Sequence, residues 1–247
     1  MNSFLILTFL FSVGSVTGWG IEVIYRRFVS QKHWVNPGFL TGPWLPLYGF
    51  SLCILYLLAD IEPRLSAFPD RAKKIVLFLL MAAAITALEF TVGKVMLTVE
   101  HVRLWDYTKC FGNIQGIICP QYSFYWMVLS ALYYFFVHPS ILDALRWLSQ
   151  NLAFSFAIGF FYGILVIDFA YSAQLMRKMR KYADEHKIVI RLEALREEIN
   201  YHLQQRKPKF FLSLKTDRPF TELLEEYCKK LQQRAAKRLE SEKKRSK

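Results

Sequence analysis

The sequence is poor in what metal or thiol chemistry requires. Its four cysteines, Cys53, Cys110, Cys119 and Cys228, include no CxxC, and the closest two are nine residues apart. Neither a disulfide scaffold nor a zinc site is expected, and reduced structural cysteines are the better reading. The five histidines form no HExxH or HxxxH; His33 and His101 fall in connecting segments, as does His138. No GxxxxGK[ST] occurs, so the chain brings no P-loop of its own. No internal repeat is visible, which sets it apart from many secondary transporters. No cofactor is expected, and no motif assigns an enzymatic activity.

What is present is apolar, aromatic and unevenly charged. Of 247 residues, 53% are hydrophobic and 16% aromatic, too many for a disordered chain. The net charge is +12, but residues 174–247 hold 21 Lys+Arg against 11 Asp+Glu, and the residues before them only 11 against 9. That split argues for a membrane domain, residues 1–173, followed by a basic helical tail, residues 174–247. It argues against nucleic-acid binding, which the overall charge alone would have suggested.

Five apolar runs predict an all-α, polytopic membrane helix bundle: Asn2–Tyr25, Pro43–Ala59, Lys74–Leu97, Tyr122–Val137 and Leu152–Tyr171. Each is near the ~20 residues that cross a ~30 Å hydrocarbon core. The first lacks a basic leader and is followed by Arg26 and Arg27, so it reads as a retained span rather than a signal peptide. Arg26, Arg27, Lys32 and the basic run after Tyr171 predict a cell-membrane protein with an external N-terminus and a cytoplasmic C-terminus. Arg64, Arg71 and Lys73 lie in a loop that this topology places outside, against the trend.

Small residues recur at helix-contact spacing: Gly14/Gly18, Gly159/Gly163, and the face Ala82, Thr86, Glu89, Gly93. Plain bundle packing is the favoured reading over a dimer-specific role. In the tail, residues 173–207 read as one helix with an apolar stripe of Ile188, Leu192, Leu195, Ile199 and Leu203, stopped by Pro208. A second helix starts near Asp217–Glu222 and buries Phe220, Leu223, Leu224, Tyr227 and Leu231. Packing of the two stripes on each other is favoured, and the tail from about Tyr182 is expected to be separable from the membrane fold.

Polar residues converge on the cytoplasmic half of this topology. Trp19, Glu22 and Arg26 share a helical face, and Glu22 and Arg26 have the i,i+4 order that favours an ion pair. Residues 36–49 carry three Pro and three Gly among apolar neighbours. A regular helix is excluded there, and the freed backbone groups require a buried re-entrant turn or a broken helix. Glu89 sits inside the third run, where a bare carboxylate is costly and must be paired or protonated. Asp168 near the end of the fifth run reads as a snorkelling side chain. Three readings of Glu22, Glu89 and Asp106 stay open. They lock the bundle by pairing with Arg26, Lys94 or Arg103, they line a transport path, or they perform acid/base catalysis on a lipid-borne substrate. The first is favoured.

The joined pattern Gly18-Trp19-x-x-Glu22, Asn36-x-Gly38-Phe39-Leu40-x-Gly42-Pro43, Pro46-x-Tyr48-Gly49, Glu89, Trp105-Asp106-Tyr107 and Asn113-x-x-Gly116 resembles the CmpB-like family of integral membrane proteins, described as type IV ABC-transporter permeases. The motifs cover roughly residues 18–126. Pro37 stands where the family often has Arg. The resemblance implies a permease subunit moving an unidentified substrate through a cytoplasmic-side polar cavity, served by a separate ATP-binding subunit. Glu22, Arg26, Asn36, Tyr48, Glu89, Trp105, Asp106, Tyr107 and Asn113 are the candidate substrate-binding residues. Membrane lipids and a second copy of the chain are the other partners considered. The alternative is an integral-membrane enzyme or lipid-binding protein built on the same carboxylates, and a structural scaffold is third.

Overall fold

The computed structural model describes residues 3–30, 32, 34–65, 69–196, 222, 225–230 and 233. It is an all-α membrane helix bundle. Helix α1 covers Ser3–Tyr25 and ends in a wide π turn, Arg26–Ser30. An irregular segment leads to α2, Pro46–Ala59, and then α3, Asp70–Val99. Strand β1, Val102–Arg103, precedes a looped segment and α4, Pro120–Leu132. A second π turn, Tyr133–Val137, joins α4 to α5, His138–Gln150. Helix α6, Ser155–His186, is followed by β2, Ile190–Arg191.

Among the described residues four stretches are long and apolar enough to cross a membrane: Ser3–Ser30, Asp70–Val99, Pro120–Gln150 and Ser155–His186. Helix α2 has 14 residues, about 21 Å at 1.5 Å per residue, short of a full crossing. Its missing length is the irregular segment before it. The Leu45 amide donates to the Ser15 carbonyl at 2.9 Å, ten residues, or about 15 Å, from the end of α1. The chain therefore descends from the end of α1 and turns at mid-depth. From there it leaves as α2, whose Cys53 thiol reaches the Leu7 carbonyl at 3.4 Å. This is the expected broken crossing. Asn36, Leu40, Trp44 and Leu45 are buried within it. Gly38 turns the chain at φ +76°, which glycine adopts without strain.

Helices α1 and α2 approach closely. A Cβ added to Gly14 would lie 2.8 Å from Leu52 Cβ and 3.0 Å from Gly49 Cα, and Gly18 backs directly onto the Tyr48 ring. The expected role of Gly14 and Gly18 is met by α2. Gly159 and Gly163 differ, since a Cβ at either would meet nothing within 4 Å. Among the described residues no other helix packs on the α6 face that carries them, and Phe156 and Phe160 beside them are exposed.

Two further expectations need correction. The fourth span does not stop at Val137. Pro139 removes a backbone donor, and in a regular helix its ring would strike the carbonyl four residues back. The π turn before it widens the helix by one residue, with the His138 amide bonding to the Tyr133 carbonyl, so the helix continues to Gln150. Ile141 and Leu145 of α5 join the deep core with Leu10, Leu55, Leu77, Met81 and Ile85. The tail helix expected over 173–207 is also not one helix. α6 runs unbroken through residue 173 and ends at Lys187, which is left-handed at φ +51°. β2 then pairs in parallel with β1, Ile190 opposite Val102 and Arg191 opposite Arg103, and residues 192–196 form a helical turn.

The tail is not free of the remainder of the chain. Met176, Met179, Tyr182, Ile190, Leu192 and Leu195 form one core with Val102, Tyr227 and Cys228. Ile188, Leu192 and Leu195 of the expected stripe therefore pack as anticipated. Ile199, Leu203, Pro208, Asp217, Pro219, Phe220, Leu223, Leu224 and Leu231 lie outside the described residues, as does His33.

Candidate functional site

The ends of α1, α3 and α6, the start of α4 and the irregular segments between them meet at one end of the bundle, called here the tail end. The segment 36–45 supplies backbone groups that no helix satisfies, and side chains from three elements answer them. The Asn36 amide donates to the carbonyls of Leu40 and Thr41 at 3.3 and 2.9 Å, and its oxygen accepts from Trp19 Nε1 at 2.6 Å. Asp168 on α6 accepts from the Thr41 and Gly42 amides at 3.1 and 2.9 Å and from Trp44 Nε1 at 2.7 Å. Asp168 thus faces the bundle and fastens α6 to the re-entrant turn. The snorkelling expectation is corrected: mid-segment amides need an acceptor more than the carboxylate needs water. Sequence reading missed this residue's role, although an acid one turn inside an apolar run was the available signal.

Two carboxylates form the centre. Glu22 Oε1 accepts from Arg26 Nε at 2.9 Å, and Glu22 Oε2 accepts from Tyr48 OH at 3.0 Å. Glu89 is 3% exposed. Its two oxygens accept from Tyr107 OH at 3.0 Å and Trp126 Nε1 at 3.1 Å. Aromatic rings link the halves: Tyr48 and Trp126 lie 5.4 Å apart, and Tyr107 stacks on Tyr122 at 4.2 Å. The Tyr122 hydroxyl meets that of Tyr25 at 3.3 Å. Burial, followed by the Glu89 and Glu22 carboxylates, pushes the Tyr107 phenol far above its ordinary pKa, so it stays a donor. Tyr107 feels both carboxylates, which places them within one electrostatic neighbourhood.

Of the nine candidate residues, the structure brings Glu22, Arg26, Tyr48, Glu89 and Tyr107 into this network. Asn36 stands beside it, organising the re-entrant turn. Trp105, Asp106 and Asn113 serve the loop that carries Tyr107. Trp105 Nε1 donates to the Ile117 carbonyl at 2.8 Å. Asn113 donates to the Cys110 carbonyl and accepts from the Gly116 amide at 2.9 and 3.0 Å. Asp106 pairs with Arg103 at 3.3 Å and Arg191 at 3.1 Å. Burial would raise its pKa, but the Thr108 hydrogen bonds and the two arginines outweigh it and hold the carboxyl below the usual value. The expected partner of Glu89, Lys94, bonds instead to Gln115 Oε1 at 2.8 Å. Neutral donors, Tyr107 and Trp126, replace it. Trp126 was not singled out, because an indole in an apolar run looks like core.

Four of the central residues, Glu22, Arg26, Tyr48 and Glu89, lie on membrane-spanning or broken helices, Tyr107 lies on the loop after α3, and the partners are mostly side chains. Each carboxylate can carry a proton or meet a counter-charge, with Tyr48 donating a hydrogen bond to Glu22 and Tyr107 donating one to Glu89. Among the described residues no group of three or more His, Cys, Asp or Glu side chains is placed to hold a metal ion. Two apolar recesses open between α3 and α4. One, of about 390 Å³, is lined by Ile75, Phe78, Met127 and Phe135, and the other, of about 590 Å³, by Ala83, Thr86, Phe90 and Met127. Neither is lined by Glu22 or Glu89.

The family model described as "Putative ABC-transporter type IV" matches residues 9–173. The chain belongs to this family. The match begins in α1 and ends in α6, so it takes in every residue of the central network and stops before the clustered tail. No curated protein and no solved structure matches the chain. Membership in an ABC-transporter-type family, on a bundle of apolar helices, makes this a membrane protein of a transport-related family.

Proposed function

We propose that the chain is the permease subunit of an ATP-driven transporter and that its substrate passes beside the Glu22–Tyr48–Trp126–Glu89–Tyr107 network. One observation carries the reading: two carboxylates deep in a membrane bundle, each bonded to side chains rather than to the backbone. Intramembrane acids of this kind mark substrate or ion paths by default. In this reading Glu22, Arg26, Asn36, Tyr48, Glu89, Trp105, Asp106, Tyr107 and Asn113 bind substrate or shape its path. The motor is a separate ATP-binding subunit, since the sequence has no P-loop. The protein lies in the cell membrane with its N-terminus outside and the tail end in the cytoplasm. Residues 1–173 form the transmembrane domain and residues 174–247 the tail.

The test is purification of the tagged chain from native membranes. A co-purifying ATP-binding protein, with ATP hydrolysis that Glu89→Gln slows at unchanged yield, supports the permease. A chain that purifies alone and binds no ATP-binding protein in cross-linked membranes refutes it. The recesses between α3 and α4 favour a lipid-binding protein as second reading. Stoichiometric phospholipid retained through detergent exchange, without an ATPase, supports that one instead.

A further inference from the structure

The segment after α6 touches the central network at Arg26 and the residues flanking it at two further places. Arg191 pairs with Asp106 at 3.1 Å, beside Tyr107. Glu193 reaches Arg26 Nη1 at 3.0 Å, so Arg26 is shared between Glu193 and Glu22. Arg196 donates to the Asn36 carbonyl at 2.7 Å and also to that of Gly38, clamping the re-entrant turn. β2 anchors the segment against β1, with the Ile190 amide on the His101 carbonyl at 3.0 Å. These contacts come from three separate elements, α1, the re-entrant turn and the loop after α3, and they converge on seven residues.

Arg196 is the unusual member. It is 6% exposed, and among the described residues its Nε has no hydrogen-bond partner and its bonds go to carbonyls rather than to a carboxylate. A buried charge held this way carries a desolvation penalty that its bonds only partly return. Burial and the neighbouring Arg26 lower its pKa to about 10, against a smaller raising effect of Glu193. Release of the segment would rehydrate Arg196, which offsets much of the loss of contacts. Arg26 would then pair with Glu22 alone. The segment is thus held by several bonds yet opposed by a built-in penalty, as a two-state element must be.

We propose that residues 190–196 are a detachable clasp that completes the charged network and covers it from the tail end. Closed, the clasp divides Arg26 between Glu193 and Glu22. Open, it leaves Glu22, 21% exposed when the clasp is closed, more accessible to water and frees Asn36–Gly38. Glu193 and Arg196 are therefore positioning residues that regulate the network. The proposal rests on the reading that this network is the working site, but its test does not need an ATPase.

The test is labelling of the full-length protein in sealed membranes and in detergent by a water-soluble carbodiimide plus an amine, read at Glu22 by mass spectrometry. Glu193→Gln and Arg196→Gln should each speed the modification of Glu22 about tenfold, the effect of losing a charge-assisted bond that holds the clasp shut. A rate within about twofold of the parent in both variants overturns the proposal. A second measurement keeps the charges intact. Strand partners lie roughly 4.8 Å apart, within disulfide range, so Val102→Cys with Ile190→Cys, in a background lacking the native cysteines, can lock the clasp. Slower Glu22 labelling in the oxidised than in the reduced form of this protein supports the clasp. Equal rates in the two forms overturn it, whatever the charge variants do.

Discussion

Asp168 and Glu89 are both acids within membrane-spanning helices, and the chain uses them differently. Asp168 accepts from two main-chain amides and an indole, all within the re-entrant turn. Those amides have no other partner among the described residues, and no side-chain movement can dispense with the acceptor. Glu89 accepts from a phenol and an indole, on a loop and on a neighbouring helix. Both donors can rotate away or exchange partners at little backbone cost. The contrast separates an acid that holds the fold from an acid free to change its bonds during a working cycle.

The sharpest way to break that contrast is removal of Asp168. Asp168→Ala leaves the three donors of the re-entrant turn unsatisfied in the bundle, and a loss of about 3 kcal/mol or more is expected. Thermal denaturation in detergent should show it, and Asp168→Asn should recover part of the loss. An unchanged midpoint for the Ala variant would remove the distinction between the two acids. Next comes the turn itself. A Cβ at Gly42 would run into the Trp44 ring. Gly42→Leu should cost about 1–3 kcal/mol by overpacking, more than Leu47→Ala, as limited proteolysis and melting can decide.

Asp106 gives a pH signature away from both acids. Its folded pKa lies below the unfolded value near 3.9. A depressed acid contributes its full stabilisation above the unfolded value and loses it as pH falls through the folded one. Exchange protection of the amides in the 103–116 loop should therefore fall on acidification below about pH 4, and in Asp106→Asn this step should vanish.

A smaller stability effect is expected at Glu89. Gln keeps the shape, accepts from Trp126 through its oxygen and donates to the Tyr107 oxygen through its amide. Glu89→Gln should shift stability by less than about 1 kcal/mol while abolishing substrate-dependent activity. Equal losses of stability and activity would return Glu89 to the fold-holding class. The smallest effect belongs to Gly163→Leu on the unpacked face of α6, within about 0.5 kcal/mol of the parent. A large loss in membranes, absent in detergent monomers, would show that another chain covers this face.

Much of this was legible before any coordinates. Three prolines and three glycines in residues 36–49 forbid a regular helix from Asn36 onward, and the broken crossing follows from that prohibition. Glu22 and Arg26 pair as their spacing requires. Other features depend on contacts that local sequence does not encode. The fourth apolar run ends at Val137 in sequence, yet a wide turn lets the helix pass Pro139, and local sequence carries no mark of that outcome. The stripe through Leu192 and Leu195 has helical spacing, but Lys187 breaks the helix because β2 gains a strand partner about ninety residues earlier in the chain. Lys94 is the nearest cation to Glu89 in sequence. A tyrosine and a tryptophan supply the bonds because they arrive from elements that the fold brings alongside.

The mid-depth start of α2 has an electrical consequence. A helix that begins inside the bundle brings its positive end there as well, equivalent to roughly half an elementary charge. Tyr48, in the first turn of α2, holds the Glu22 carboxylate. The field of α2 therefore works against the membrane's penalty on negative charge at the point where Glu22 sits. A full-length crossing helix would have carried that end out to the headgroups, where water and salt would screen it. By starting late, α2 makes the middle of the bundle hospitable to an anion.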